Sequence, residues 1–153
     1  MPELLARDLM TKNVITVKSD ITIKELSDIL LKNKISGVPV VDDEGRLIGI
    51  VTEADIIKEN IKVQIPFYFD PLMVSGYIVD FEKRYPNIKD YLNTPVEEIM
   101  SRRVKTASPQ TPINEIADIM VYNKVNRVPI VDENKKVAGI ITRADIIKTM
   151  ITK

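Results

Sequence analysis

Residues 10–58 of this 153-residue chain return without a gap as residues 100–148. At a constant offset of 90, Met10 meets Met100, Val14 meets Val104 and Thr16 meets Thr106. Asn33-Lys34 meets Asn123-Lys124, and Val38-Pro39 meets Val128-Pro129. Gly49-Ile-Val-Thr-Glu-Ala-Asp55 meets Gly139-Ile-Ile-Thr-Arg-Ala-Asp145. A duplication of this length constrains the architecture before any single element is read, because two copies of one unit should fold alike. Each copy alone is too short for a good core, so the two are expected to pack together.

Within a copy, Val14–Val17 alternates apolar and polar residues, as a short strand does. A helix is expected near Thr22–Asn33, with Leu26, Ile29 and Leu30 on one face, and Ile116, Ile119 and Met120 in the second copy. Its start signals are Thr22 with Glu25 at capping-box spacing, and Thr111 as N-cap with Pro112 in the first helical position. Gly37–Val41 and Arg127–Val131 read as continuous apolar strands. Turns at Asp42-Asp43-Glu44-Gly45 and Asp132-Glu133-Asn134-Lys135 lead into strands Leu47–Val51 and Val137–Ile141. These lack polar alternation, which predicts cover on both faces. Thr52 and Thr142 then open the last helix.

The unit is β-α-β-β-α, and the fold class is α/β (α+β), with one repeat over 1–60 and the other over 95–153. Between them, 61–94 holds all three Phe of the chain and most of its Tyr. Short helices are expected at Ser75–Lys83 and Ile88–Leu92. Such an insertion is too apolar for a free linker. It serves as a flap that completes the core or a subunit contact, or as a lid over a ligand site.

Composition excludes several chemistries. There is no Cys and no His, hence no thiolate nucleophile, no Cys-ligated zinc and no imidazole base. No phosphate-binding Gly-x-x-x-x-Gly-Lys loop or nucleophile elbow is present. With 22 basic and 22 acidic side chains, no overall field favours nucleic acid or an anionic membrane. Lys12, Arg102, Arg103, Lys105 and Arg127 are the candidates for a local basic cluster. The start of the chain is not a signal peptide and no apolar run would span a bilayer, so a cytoplasmic, non-membrane protein is expected.

A tandem pair of such units resembles the CBS domain, named after cystathionine β-synthase. The carriers are the Ser/Asn-x-Val-Pro-Val/Ile strand and the Gly-Ile-x-Thr-x-x-Asp ending, each present twice and in register. The resemblance implies two repeats about a pseudo-two-fold axis and a regulatory module for an adenosine ligand: AMP, ADP, ATP or S-adenosylmethionine. It also implies two quasi-equivalent sites, each shared between the repeats. One would use Thr16, the Ile35-Ser36-Gly37 backbone and Pro39 with Ile140, Thr142 and Asp145. The other would use Thr106, Val125-Asn126-Arg127 and Pro129 with Ile50, Thr52 and Asp55. A homodimer through the helices is implied as well, with an unknown regulated protein as partner and no required cofactor.

Each assignment has an ordinary counterpart. Thr-x-x-Asp at a helix start is capping chemistry; the same geometry offers N–H groups and a hydroxyl to phosphate and a carboxylate to ribose. Thr16 and Thr106 are β-branched strand residues or ribose and phosphate contacts. Ile35, Val38, Ile50 and their partners are core residues whose edges form an apolar slot for adenine. Arg127 is a strand-edge charge or a bidentate phosphate ligand, and Gly37 has no such group. Where family members often carry His, this chain has Asn126. Glu53 stands where the second copy has Arg143. The two sites are therefore expected to differ, with Thr52 and Asp55 on the Arg127 side forming the better phosphate site. The alternative to a sensor is a dimerisation scaffold with vestigial sites; an enzyme is not expected.

Overall fold

The computed structural model describes residues 2–61 and 87–152. The aromatic run, the helix expected at Ser75–Lys83 and the lid or flap role lie outside the described residues. The order is α1 (Ala6–Leu9), β1 (Val17–Lys18), α2 (Ile23–Asn33), β2 (Gly37–Val41), β3 (Leu47–Thr52) and α3 (Glu53–Ile61). Then follow α4 (Ile88–Leu92), a 3-10 turn (Val96–Glu98), α5 (Ile113–Asn123), β4 (Arg127–Val131), β5 (Val137–Thr142) and α6 (Arg143–Ile151). No described helix is long and apolar enough to cross a membrane.

The chain forms two compact units that do not follow the repeat boundary. Unit 1 takes in Met1–Lys18, Pro39–Ile50 and Ser101–Lys153; unit 2 takes in Ser19–Val38 and the described part of Val51–Met100. The reason is an exchange of leading segments. In unit 1, Ala6 N donates to Thr111 O at 2.8 Å, Arg7 N to Pro109 O at 2.9 Å, and Ile113 N to Leu4 O at 3.0 Å. In unit 2 the same three bonds recur at the offset of 90. They run from Val96 N to Ile21 O at 2.8 Å, Glu97 N to Ser19 O at 3.0 Å, and Ile23 N to Thr94 O at 2.9 Å. The start of each repeat thus completes the fold of the other.

The core of unit 1 gathers Ala6, Ile116, Met120, Val128, Ile130 and Ile141, with Met10, Ile119 and Ile146 packed against it. In unit 2, Ile23, Leu26, Leu30, Val38, Val51 and Val96 are buried. In the described sheets the strand orders are β1-β2-β3 and β4-β5. Strand β1 is shorter than expected, with only Val17 and Lys18 pairing parallel to Val40 and Val41. Its copy is reduced to one parallel bridge, Ala107 to Ile130.

Two expectations need correction. Helix α5 begins at Ile113 with Pro112 as its N-cap, one residue later than expected. Pro112 is extended, with ψ 145°, and the Thr111 hydroxyl is taken by Ser108 N at 3.0 Å. Thr22 is the equivalent cap of α2, accepting from Glu25 N at 3.1 Å. Strands β3 and β5 are not closed over on both faces, since only Gly49, Val51, Gly139 and Ile141 are buried while the residues between them are partly open. Gly139 has its own reason to be glycine. A Cβ there would come within 2.5 Å of Met10 Sδ and 2.9 Å of Met10 Cβ, a clash that needs backbone movement to relieve.

Both helices end on a lysine in the left-handed region, Lys34 at φ 53° and Lys124 at φ 54°. This closes the helix by bonds from Ile35 N to Leu30 O and Val125 N to Met120 O, each 3.1 Å, and turns the chain into the next strand. The β2–β3 turn is built on Asp42. Its Oδ1 accepts the N–H of Glu44 and of Arg46, and its Oδ2 accepts Arg46 Nε, all at 2.9 Å. The Arg46 backbone N–H, above all, holds this carboxyl below its ordinary value of 3.8. A carboxylate depressed in the folded state contributes stability above its unfolded pKa and loses it as pH falls through the folded value. Asp42→Asn keeps the acceptor oxygen and removes the charge. It is expected to lower the urea midpoint at pH 7, by a gap that narrows as pH falls below 3.8 and through the folded value. A gap that does not change with pH would exclude the charge as the cause.

Candidate functional site

The two Thr-x-x-Asp junctions are built alike. In unit 2, Thr52 N donates to Asp55 Oδ2 at 2.9 Å and Thr52 Oγ1 to the same oxygen at 3.2 Å. Asp55 N returns a bond to Thr52 Oγ1 at 3.4 Å. In unit 1 the bonds from Thr142 to Asp145 Oδ2 are 2.9 and 3.0 Å, and Asp145 N reaches Thr142 Oγ1 at 3.3 Å. Both are reciprocal caps, so the capping reading holds in both repeats. Every bond that these two carboxylates accept runs to one oxygen, Oδ2. The other, Oδ1, accepts nothing among the described residues, and both Asp side chains are half-buried. The same carboxylate can fix a helix start and still present an acceptor.

The strand entering from the preceding helix is tied to this junction. In unit 2, Glu53 N donates to Ser36 O at 2.8 Å; in unit 1, Arg143 N donates to Asn126 O at 2.8 Å. The Arg143 guanidinium also donates to the Asn126 side-chain oxygen. Asn126 is thereby committed to a neighbour in its own repeat, and Arg143 with it. Along the β4–β5 ladder Arg127 stands opposite Thr142 and Pro129 opposite Ile140. Pro39 and Pro129 are fully buried, so their side chains hold strands rather than line an open surface. Ile35, Ile50, Val125 and Ile140 are half-buried, Thr106 likewise, while Thr16, Ser36 and Asn126 are exposed.

Unit 1 therefore brings together Thr106, Val125–Arg127, Pro129, Ile140, Thr142 and Asp145, with Ile50, Thr16 and Pro39 in the same unit. Unit 2 holds Ile35–Gly37, Thr52 and Asp55. Each of the two expected residue sets draws on both units. Sequence reasoning missed two short antiparallel contacts beside these strands. Thr11 pairs with Ile140 in both directions at 3.0 Å, and Ser101 with Ile50 in both directions at 2.9 Å. Thr11 and Ser101 are 90 apart, so the repeat offset was the available signal. Among the described residues no cluster of three or more acidic side chains could hold a metal ion.

The family model for the CBS domain matches residues 6–62 and 96–152. The uncharacterized protein MJ1426 of Methanocaldococcus jannaschii is 35% identical over 158 residues, covering 97% of this chain and 92% of its own. Inosine-5'-monophosphate dehydrogenase of Aquifex aeolicus is 35% identical over 140 residues, which cover 91% of this chain and 23% of that enzyme. The solved CBS domain pair of protein MJ0100, in complex with 5'-methylthioadenosine and S-adenosyl-L-methionine, matches with a TM-score of 0.72. Its identity is 31%, over 97% of each chain. The chain, with two copies of the repeat in tandem, belongs to the CBS domain family.

Proposed function

We propose that this CBS pair is a regulatory module that binds an adenosine nucleotide, AMP, ADP or ATP, and passes the bound state to a partner protein. The observation that carries the reading is the Thr-x-x-Asp junction, present twice, with one carboxylate oxygen used for capping and the other left as an acceptor. That acceptor suits a ribose diol, and the N–H groups of the helix start suit phosphate. In this reading each site takes residues from both repeats. One uses Thr16, Ile35–Gly37, Ile140, Thr142 and Asp145; the other uses Thr106, Val125–Arg127, Ile50, Thr52 and Asp55. The role is binding rather than catalysis, in keeping with a chain without His or Cys. A homodimer fits the exposed apolar positions of the last helices, where Ile57 recurs at the repeat offset as Ile147. S-adenosylmethionine is the second reading, favoured by the ligands of the MJ0100 pair.

Thermal unfolding of the full chain with AMP, ADP, ATP and S-adenosylmethionine tests this. A ligand at about a hundred times its Kd is expected to add about 2.7 kcal/mol of stability. No shift with any of the four would leave the scaffold reading in its place.

A further inference from the structure

The contacts at Thr11 and Ser101 make two matched straps, each pinned at both ends within unit 1. The first is Lys12–Thr16. It starts at the Thr11–Ile140 pair and ends where Val17 joins Val40. The second is Arg102–Thr106, which starts at the Ser101–Ile50 pair. It ends where Ala107 N donates to Pro129 O at 3.1 Å and Val131 N to Ala107 O at 2.9 Å. The straps differ in charge. The first carries Lys12, with Asn13 and a partly exposed Ile15 at the positions where the second carries Arg103 and Lys105. With Arg102, the second has three cations, all exposed, and none forms a salt bridge among the described residues.

Five residues span at most about 17 Å. Neighbouring charges on such a strap lie within about one Debye length of 8 Å at physiological salt and repel each other. No acidic partner among the described residues relieves this, so the strap is set to gain from an anion. The first strap, pinned in the same way but carrying the single cation Lys12, shows that the fold itself does not require the charges.

We propose that Arg102, Arg103 and Lys105 read a polyphosphate chain, making the site served by the Ser101–Ile50 strap selective for nucleoside di- or triphosphates over monophosphates. The proposal rests on the adenosine reading above, and Ile50 belongs to the residue set that also holds Thr106 and Arg127. A polyphosphate places several charges along a length the strap can follow, whereas a monophosphate meets only one or two of the cations. A nucleic acid would call for a wider basic stripe than a chain with 22 basic and 22 acidic residues provides.

The test is calorimetric titration of the full chain with adenosine, AMP and ATP, alongside the variant Arg103→Asn with Lys105→Ile, which copies the residues of the first strap. Arg102→Gln with Arg103→Gln serves if the first variant is poorly folded. The parent is expected to bind ATP more tightly than AMP. The variant is expected to lose about tenfold in ATP affinity, the size two exposed charge contacts supply, with AMP within about twofold of the parent. If AMP binds but ATP has no advantage, or both weaken equally, the strap assignment is overturned and the adenosine reading stands. If no adenosine compound binds, the adenosine reading fails and the strap assignment with it. Binding of a short single-stranded RNA, lost in the variant while ATP binding is unchanged, also overturns the proposal.

Discussion

Replacing Ile116 by Ala is expected to lower the unfolding free energy by about 4 kcal/mol. Ile116 lies on α5 with none of its surface exposed and sits in the cluster of Ala6, Met120, Val128, Ile130 and Ile141. Three elements that are distant in sequence therefore lose contact with the deleted atoms at once: the leading segment, the helix and the β4–β5 pair. A cavity bounded by strands and a helix collapses poorly, which puts the cost in the upper half of the usual range. For a domain stable by about 5–15 kcal/mol this is a large fraction, so Ile116→Val, expected to cost about 1 kcal/mol, keeps the measurement within reach if the Ala variant does not fold. Val121→Ala on the same helix is the control. Val121 is 73% exposed, and its truncation is expected to change stability by less than about 0.5 kcal/mol. Urea unfolding of the three variants decides the matter. Equal losses at Ile116 and Val121 would mean that Val121 is covered by a partner in solution, and a loss under about 1.5 kcal/mol at Ile116 would contradict the core as drawn.

Most of this core was legible in the sequence, because the helix period selected Leu26, Ile29 and Leu30 and their copies, and the caps and turns repeat at 90. What was not legible was the exchange of leading segments. Leu4–Ala6 and Thr94–Val96 show no strand or helix period, and their bonds go to backbone atoms of Ile21 and Thr111, which side-chain patterns do not report. The start of α5 was misread because Thr111-Pro112 fits a general N-terminal preference. The internal copy had a sharper answer, since Thr22 aligns with Pro112. The open faces of β3 and β5 were misread because apolar residues without alternation look the same whether a second face is covered by protein or left partly bare. The site was legible only as residue types. Thr-x-x-Asp predicts a cap, and it is a cap in both repeats; that one oxygen of each carboxylate stays free is a fact of geometry.

The asymmetry between the copies follows the same line. Glu53 stands where the second copy has Arg143, and the Arg143 guanidinium donates to the Asn126 side-chain oxygen. The position where family members often have His thus holds the neighbouring cation, and Arg103, Lys105 and Arg127 are further cations at positions where the first repeat has Asn13, Ile15 and Gly37. Gly45 and Lys135 show a milder difference, since both take positive φ, at 81° and 65°. Only the glycine does so without steric cost.

Asp55→Ala and Asp145→Ala are each expected to weaken one adenosine site by about 3 kcal/mol, on the order of a hundredfold, as two hydrogen bonds to a charged acceptor are lost. Each variant also loses a helix cap and about 1 kcal/mol of stability. Asn at the same positions keeps the acceptor for Thr52 N or Thr142 N and separates the two effects. The sharper use of these variants is to ask which Asp shares a ligand with Arg127. If the sites are shared between repeats, Arg127 belongs with Asp55. Arg127→Ala and Asp55→Ala should then be non-additive by more than about 0.5 kcal/mol in nucleotide binding, while Arg127→Ala and Asp145→Ala should add within about 0.5 kcal/mol. In the β4–β5 ladder Arg127 stands opposite Thr142, so a site confined to one repeat would give the reverse pattern. Coupling of Arg127 to Asp145 and not to Asp55 would replace the shared sites by two sites built within single repeats.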